Sequence, residues 1–112
     1  MWSLSGNKKV KKVVIGKNVT TIGKEAFKNC TNLKTVESKS TTLNKIGASA
    51  FSGDMKLTKI TLKTTKLTKK SVGKNALKGT NKKLVIKVPK SKVSAYKKYF
   101  KNKGNKTVQV KK

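Results

Sequence analysis

Ile22-Gly23-Lys24-Glu25-Ala26-Phe27 is restated twice further along the chain, as Ile46-Gly47-Ala48-Ser49-Ala50-Phe51 and as Val72-Gly73-Lys74-Asn75-Ala76-Leu77. The three copies begin 24 and 26 residues apart. Apolar residues held in phase at such a period mark stacked supersecondary units, none of which can bury its apolar side alone. The pattern therefore predicts a repeat solenoid: an α+β coil of short strands and short helical turns. Such an array offers surfaces for binding or display and little scope for a catalytic pocket.

Outward from this hexad, each unit holds two apolar clusters. The first reads Val10-x-x-Val13-x-Ile15, Leu33-x-x-Val36-x-Ser38 and Leu57-x-x-Ile60-x-Leu62, with Leu84-x-Ile86-x-Val88 one residue shorter. Alternation in its second half fits a short strand with one buried face. The second cluster (Val19 to Ile22, Leu43 to Ile46, Leu67 to Val72) fits another short extended segment. Ala26-Phe27, Ala50-Phe51 and Ala76-Leu77 follow, each with room for a single helical or 3-10 turn that puts the large side chain under the stack. Glycines 23, 47 and 73 recur in phase, which implies either positive φ or close approach of neighbouring coils. The two extra residues of the third unit fall near Lys69 and Lys70, where they would bulge from a loop.

The repeat lapses at Pro89. Ser91 to Gly104 reads as a helix, with Pro89 and Ser91 as start signals, Val93, Tyr96 and Phe100 on one face, and Gly104 as the stop. Val108 and Val110 alternate in a final strand. A terminal element of this kind closes the apolar end of a solenoid. The expected organisation is an N-terminal edge over residues 1–9, about three repeats over 10–88 and a C-terminal cap over 89–112. Trp2 and Leu4 give the N-terminal end poorer cover, as in a fragment of a longer array.

Composition bounds the function. The 112 residues hold 30 lysines, no arginine, no histidine and three acids, for a net charge of +27. Self-repulsion at this level opposes compaction and draws in polyanions. Lysine is a point charge without the guanidinium fork, so the attraction is diffuse and salt-sensitive, and sequence-specific nucleic-acid readout is not expected. A compositional lysine bias serving solubility is the competing reading. Residues 57–112 hold 19 lysines and no acid, against 11 lysines and all three acids in residues 1–56. Any docked polyanion belongs on the C-terminal half.

Without histidine the usual neutral-pH base and imidazole metal ligand are lacking. Glu25, Glu37 and Asp54 fall in different repeat phases and are not expected to converge. Cys30, the one cysteine, shares its phase with Asp54 and Thr80 and reads as a small buried or half-buried thiol. No enzyme, cofactor or metal is expected. No apolar run approaches the ~20 residues that span a bilayer, and the start lacks the long apolar core of a signal peptide.

Ile22-Gly-Lys-Glu-Ala-Phe-Lys-Asn-Cys-Thr-Asn-Leu33-Lys-Thr-Val36 resembles the BspA-type leucine-rich repeat, found in secreted and surface proteins of bacteria and some protozoa. The match runs over roughly residues 10–88, and the segment from Val88 through Lys98 resembles the capping module of such arrays. The resemblance implies a right-handed, leucine-rich-repeat-like coil with one strand ladder per repeat. It also implies a secreted or cell-surface location, with any export signal and anchor outside this fragment. Its expected role is adhesion or ligand binding to a host or microbial protein or glycan. The composition supplies the alternative, nonspecific binding of a polyanion (cell-wall teichoic acid, glycosaminoglycan or nucleic acid) at low salt through the lysine-rich C-terminal half. In such a repeat, the strand residues between the buried ones face outward and align across coils. One column would be Lys12, Thr35, Lys59 and Val85; the next Val14, Glu37, Thr61 and Lys87. Lys12, Thr35, Glu37, Lys59, Thr61, Lys63 and Lys87 are the candidate partner-binding residues.

Overall fold

The phased apolar clusters become strands wherever alternate residues can be buried. In the computed structural model, which describes residues 3–112, these are β1 (Lys12–Ile15), β2 (Thr21–Ile22), β3 (Thr35–Ser38), β4 (Lys45–Ile46), β5 (Lys59–Thr61) and β6 (Val85–Lys87). After Pro89 come a 3-10 turn (Lys90–Lys92), α1 (Val93–Phe100) and β7 (Gln109–Lys111). Trp2, expected to help cover the N-terminal end, lies outside the described residues.

Five strands form one parallel sheet in the order β1-β3-β5-β6-β7. Each pairs with its counterpart one repeat on, so Val13, Val36, Ile60, Ile86 and Val110 fall in one row. All five are buried. A second parallel pair, β2-β4, is extended by a bridge between Ile46 and Val72. The two sets of strands are thus separate sides of the same coil, as the two apolar clusters require.

The turn that follows each glycine carries the interior file. Phe27 and Phe51 stack with ring centroids 5.6 Å apart and planes 14° from parallel. Backbone bonds continue the register: Phe27 N–H donates to Ala50 O (2.9 Å), Phe51 N–H to Ala76 O (2.9 Å) and Leu77 N–H to Lys103 O (2.8 Å). Phe27, Phe51 and Leu77 are each at most 1% exposed, so the file is the spine of the core. These segments are single turns closed by bonds such as Ala26 N–H to Gly23 O (3.1 Å), and none extends into a regular helix. The reason is a left-handed residue in each, Glu25, Ser49 and Asn75, with φ of 57–59°, which no helix tolerates.

None of the three phased glycines has positive φ, and close approach explains two of them, Gly47 and Gly73. A Cβ on Gly47 would stand 2.5 Å from Lys24 N, and one on Gly73 would collide in the same way with Ala48, one coil back. Gly23, in the first of the three copies, would meet nothing. The third repeat's two extra residues form the expected exposed turn at Lys69 and Lys70, closed by Thr68 and Ser71: Thr68 N–H donates to Ser71 Oγ (2.8 Å), and Ser71 N–H to Thr68 O (3.0 Å).

The C-terminal helix is shorter than its sequence signals imply. It ends at Phe100, four residues before Gly104, because Lys101 turns extended (ψ 140°) and Asn102 enters the left-handed region (φ 63°). Residues 101–104 are needed elsewhere: they supply the carbonyl that receives Leu77 N–H, continuing the column of turns. Ser91 provides no cap; it lies within the 3-10 turn, and Lys92 precedes α1 without a side-chain capping bond. Tyr96 and Phe100 are buried against the core. The Tyr96 hydroxyl donates to Thr64 O (2.9 Å) and accepts from Leu67 N–H (3.2 Å). Those two backbone groups would otherwise be unpaired in the interior, at about 1–3 kcal/mol each.

Candidate functional site

Strand alternation that buries the central row turns its neighbours to the other face of the sheet. Register places Lys12, Thr35, Lys59, Val85 and Gln109 in one outward column, and Val14, Glu37, Thr61, Lys87 and Lys111 in the next. Six of the seven candidate residues (Lys12, Thr35, Glu37, Lys59, Thr61 and Lys87) therefore stand together on one face. Lys63 is exposed just beyond the last residue of β5, at the margin of that face. Gln109 and Lys111 extend both columns by a rung that the repeat pattern alone did not reach. The alternation of Val108 and Val110 was the available signal for it.

Neighbouring rungs are about 4.8 Å apart. Lys87 and Lys111 occupy adjacent rungs of one column, and like charges at that spacing repel. Thr61 separates Lys87 from Glu37, the one acid on the face. Glu37 pairs across strands with Lys12 at 3.7 Å, with side chains 36% and 59% exposed, a contact of small net value. The N-terminal half of the face is thus nearly balanced in charge, and the C-terminal half carries uncompensated lysine. Two valines stand among the outward positions, Val14, 47% exposed, and Val85, which is half-buried.

The chain's reactive side chains point elsewhere. Cys30 is buried, and burial together with the nearby Asp54 carboxyl pushes its thiol up from the ordinary value. Asp54 is buried below the turns, where its Oδ1 accepts Cys30 N–H at 2.8 Å. Glu25 pairs with Lys28 at 3.4 Å on the turn side. The three acids thus have three separate settings, and none stands beside a nucleophile on the face. Among the described residues, no cluster of His, Cys, Asp or Glu could hold a metal ion, and no helix is long and apolar enough to cross a membrane. What the face offers chemically is ammonium groups, threonine hydroxyls and one carboxylate in fixed rows, which suits reversible contact with a polar or anionic surface.

No curated protein and no solved structure matches the chain significantly. The family model for the BspA type leucine rich repeat region matches residues 4–112, in six copies. That match runs through the helix and β7 as well as the phased repeats. Leucine-rich repeats of this type are in general non-enzymatic interaction modules. With this match over almost the full length, the chain belongs to the BspA-type leucine-rich repeat family.

Proposed function

We propose that the chain is a ligand-binding or adhesion module of a bacterial cell-surface or secreted protein, engaging a protein or glycan through the outer face of its parallel sheet. The observation that carries this reading is the in-register display of Lys12, Thr35, Glu37, Lys59, Thr61 and Lys87, with Lys63 at the margin. At least three successive rungs of each column carry a donor or charge at one fixed spacing, so an extended partner can be met at several rungs at once. In this reading residues 10–88 are the repeats and residues 89–112 the closing element, whose Tyr96 and Phe100 cover the last coil. A panel of surface proteins and glycans, tested against the full chain, should contain a partner that stays bound above about 0.3 M salt. Lys59→Glu with Lys87→Glu should weaken it about tenfold, and Lys24→Glu with Lys74→Glu, placed on the turn side, should weaken it less than about twofold.

The uncompensated lysines of the C-terminal half favour a second reading, nonspecific retention on polyanions such as teichoic acid or sulfated glycans. Lys87 and Lys111 stand on neighbouring rungs, and the chain has no acid after Asp54. Here binding should fall steeply and linearly in log salt and vanish by about 0.3 M. It should also respond equally to lysine substitutions on either side of the molecule.

A further inference from the structure

The five-stranded sheet ends at β7, which pairs only with β6, and no strand lies on its other side among the described residues. Gln109 N–H donates to Leu84 O (3.1 Å), and Lys111 O accepts from Val88 N–H (2.9 Å). Gln109 and Lys111 thus face β6, and alternation in a parallel strand turns the N–H and C=O of Val110 the opposite way. That open edge borders a cleft of about 850 Å³ between α1 and β7, within the range of ligand sites. Val108 and Val110 contribute apolar surface to it, and Lys97, Lys101, Lys106 and Lys111, all exposed, line it together with amide side chains. No acid in the C-terminal half neutralises them.

We infer that this cleft takes an extended peptide of alternating acidic and apolar residues, which adds to β7 as a sixth parallel strand. Strand addition supplies main-chain hydrogen bonds, and the side-chain columns set the specificity. An added residue beside Val110 continues the buried row that runs from Val13 to Val110, so it is apolar. Its two neighbours fall beside Gln109 and Lys111, so they are acidic. A second copy of this chain is not the occupant, because it brings its own lysines to the same edge, and lysine on an edge strand opposes such pairing. This site is at the end of the sheet and does not depend on what the outer face binds.

The test is titration of the full chain with a capped, labelled Glu-Val-Glu-Val-Glu-Val peptide at about 0.15 M salt, with hydrogen exchange read at the Val110 amide. Saturable binding is expected, with the Val110 amide slowed in the complex. A peptide of the same composition with the alternation shuffled should bind about tenfold more weakly. Lys97→Glu with Lys101→Glu should cost about tenfold, and Lys8→Glu with Lys9→Glu, at the other end of the molecule, less than about twofold. Equal binding of the shuffled peptide, equal losses in the two variants or an unprotected Val110 amide would each overturn the inference. So would absence of saturable binding up to about millimolar peptide. Tighter binding of a heparin oligosaccharide, lost with the same Lys97 and Lys101 pair, would assign the cleft to a sulfated glycan instead.

Discussion

Asp54 sits where the repeat places Cys30 one coil earlier and Thr80 one coil later, with Asn105 beyond them. The column is hydrogen-bonded at its two ends: Cys30 N–H donates to Asp54 Oδ1, and Asn105 Nδ2 donates to Thr80 Oγ1 at 2.8 Å. Asp54 has one oxygen too many for this place. Its Oδ2 is buried without a partner, and burial pushes its acid up from 3.8 to about 8 against the opposing effect of Cys30 N–H. The folded protein therefore holds Asp54 as a neutral acid at neutral pH, while the unfolded chain releases the proton near pH 4. The stability so contributed is fully present below about pH 4 and is lost as pH rises towards about 8, by up to about 1.4 kcal/mol per pH unit. With no histidine in the chain, few other groups titrate in that window. Asp54→Asn keeps the acceptor for Cys30 and removes the titration. Its melting temperature should stay nearly level from pH 5 to 8 while that of the parent falls, and parallel profiles for the two proteins would refute this account.

At the scale of elements, Gly47 and Gly73 each allow their coil to rest on the one before it. Gly47→Ala forces a methyl into the backbone of Gly23 and Lys24, a rigid neighbour, and should destabilise by about 3 kcal/mol, at the upper end for overpacking. Gly23→Ala meets open space and should change stability by less than about 1 kcal/mol. Urea unfolding midpoints of the two variants check the contrast, and equal costs would show that conformational freedom and not contact selects these glycines. The strands, their register, both outward columns and the Phe27-Phe51-Leu77 file were legible in the sequence, because alternation and repeat phase report burial directly. The left-handed conformation of Glu25 and Ser49 was not, since neither residue type advertises it. The early end of α1 was also hidden: Gly104 is a sound stop signal locally, but the bond from Leu77 N–H to Lys103 O claims the preceding residues for the stack. Of the candidate site, the in-phase residues could be assigned to a face, whereas the rung of Gln109 and Lys111 lay past the point where the repeat can be followed. The cleft beside them depends on how α1 packs, which no spacing encodes.

The whole molecule confines a charge of +27 within a radius of gyration of 12.2 Å. Two ion pairs, Lys12 with Glu37 and Lys28 with Glu25, are the ones formed among the described residues, and both are solvent-exposed. Nearly all the lysines are thus left to repel one another through water, and that repulsion weakens as the Debye length shrinks from about 30 Å at 0.01 M salt to about 8 Å at 0.15 M. The melting temperature should rise over this range, and sulfate should raise it further by strengthening burial. A melting temperature independent of ionic strength would mean that the lysines are too dispersed to oppose folding. The repulsion is also lopsided, because the half after residue 56 carries +19 against +8 for the half before it. Salt should therefore tighten the C-terminal coils most.

The rows of backbone bonds between coils have a mechanical corollary. The chain enters the sheet at β1 and leaves it at β7, so tension on its two ends peels the stack one boundary at a time and does not shear all rows together. Each released coil of 24–26 residues pays out roughly 80–90 Å of slack at about 3.3–3.6 Å per residue. A tether made of such coils lengthens in small steps under load, and the coils that have not yet opened keep their outer faces intact.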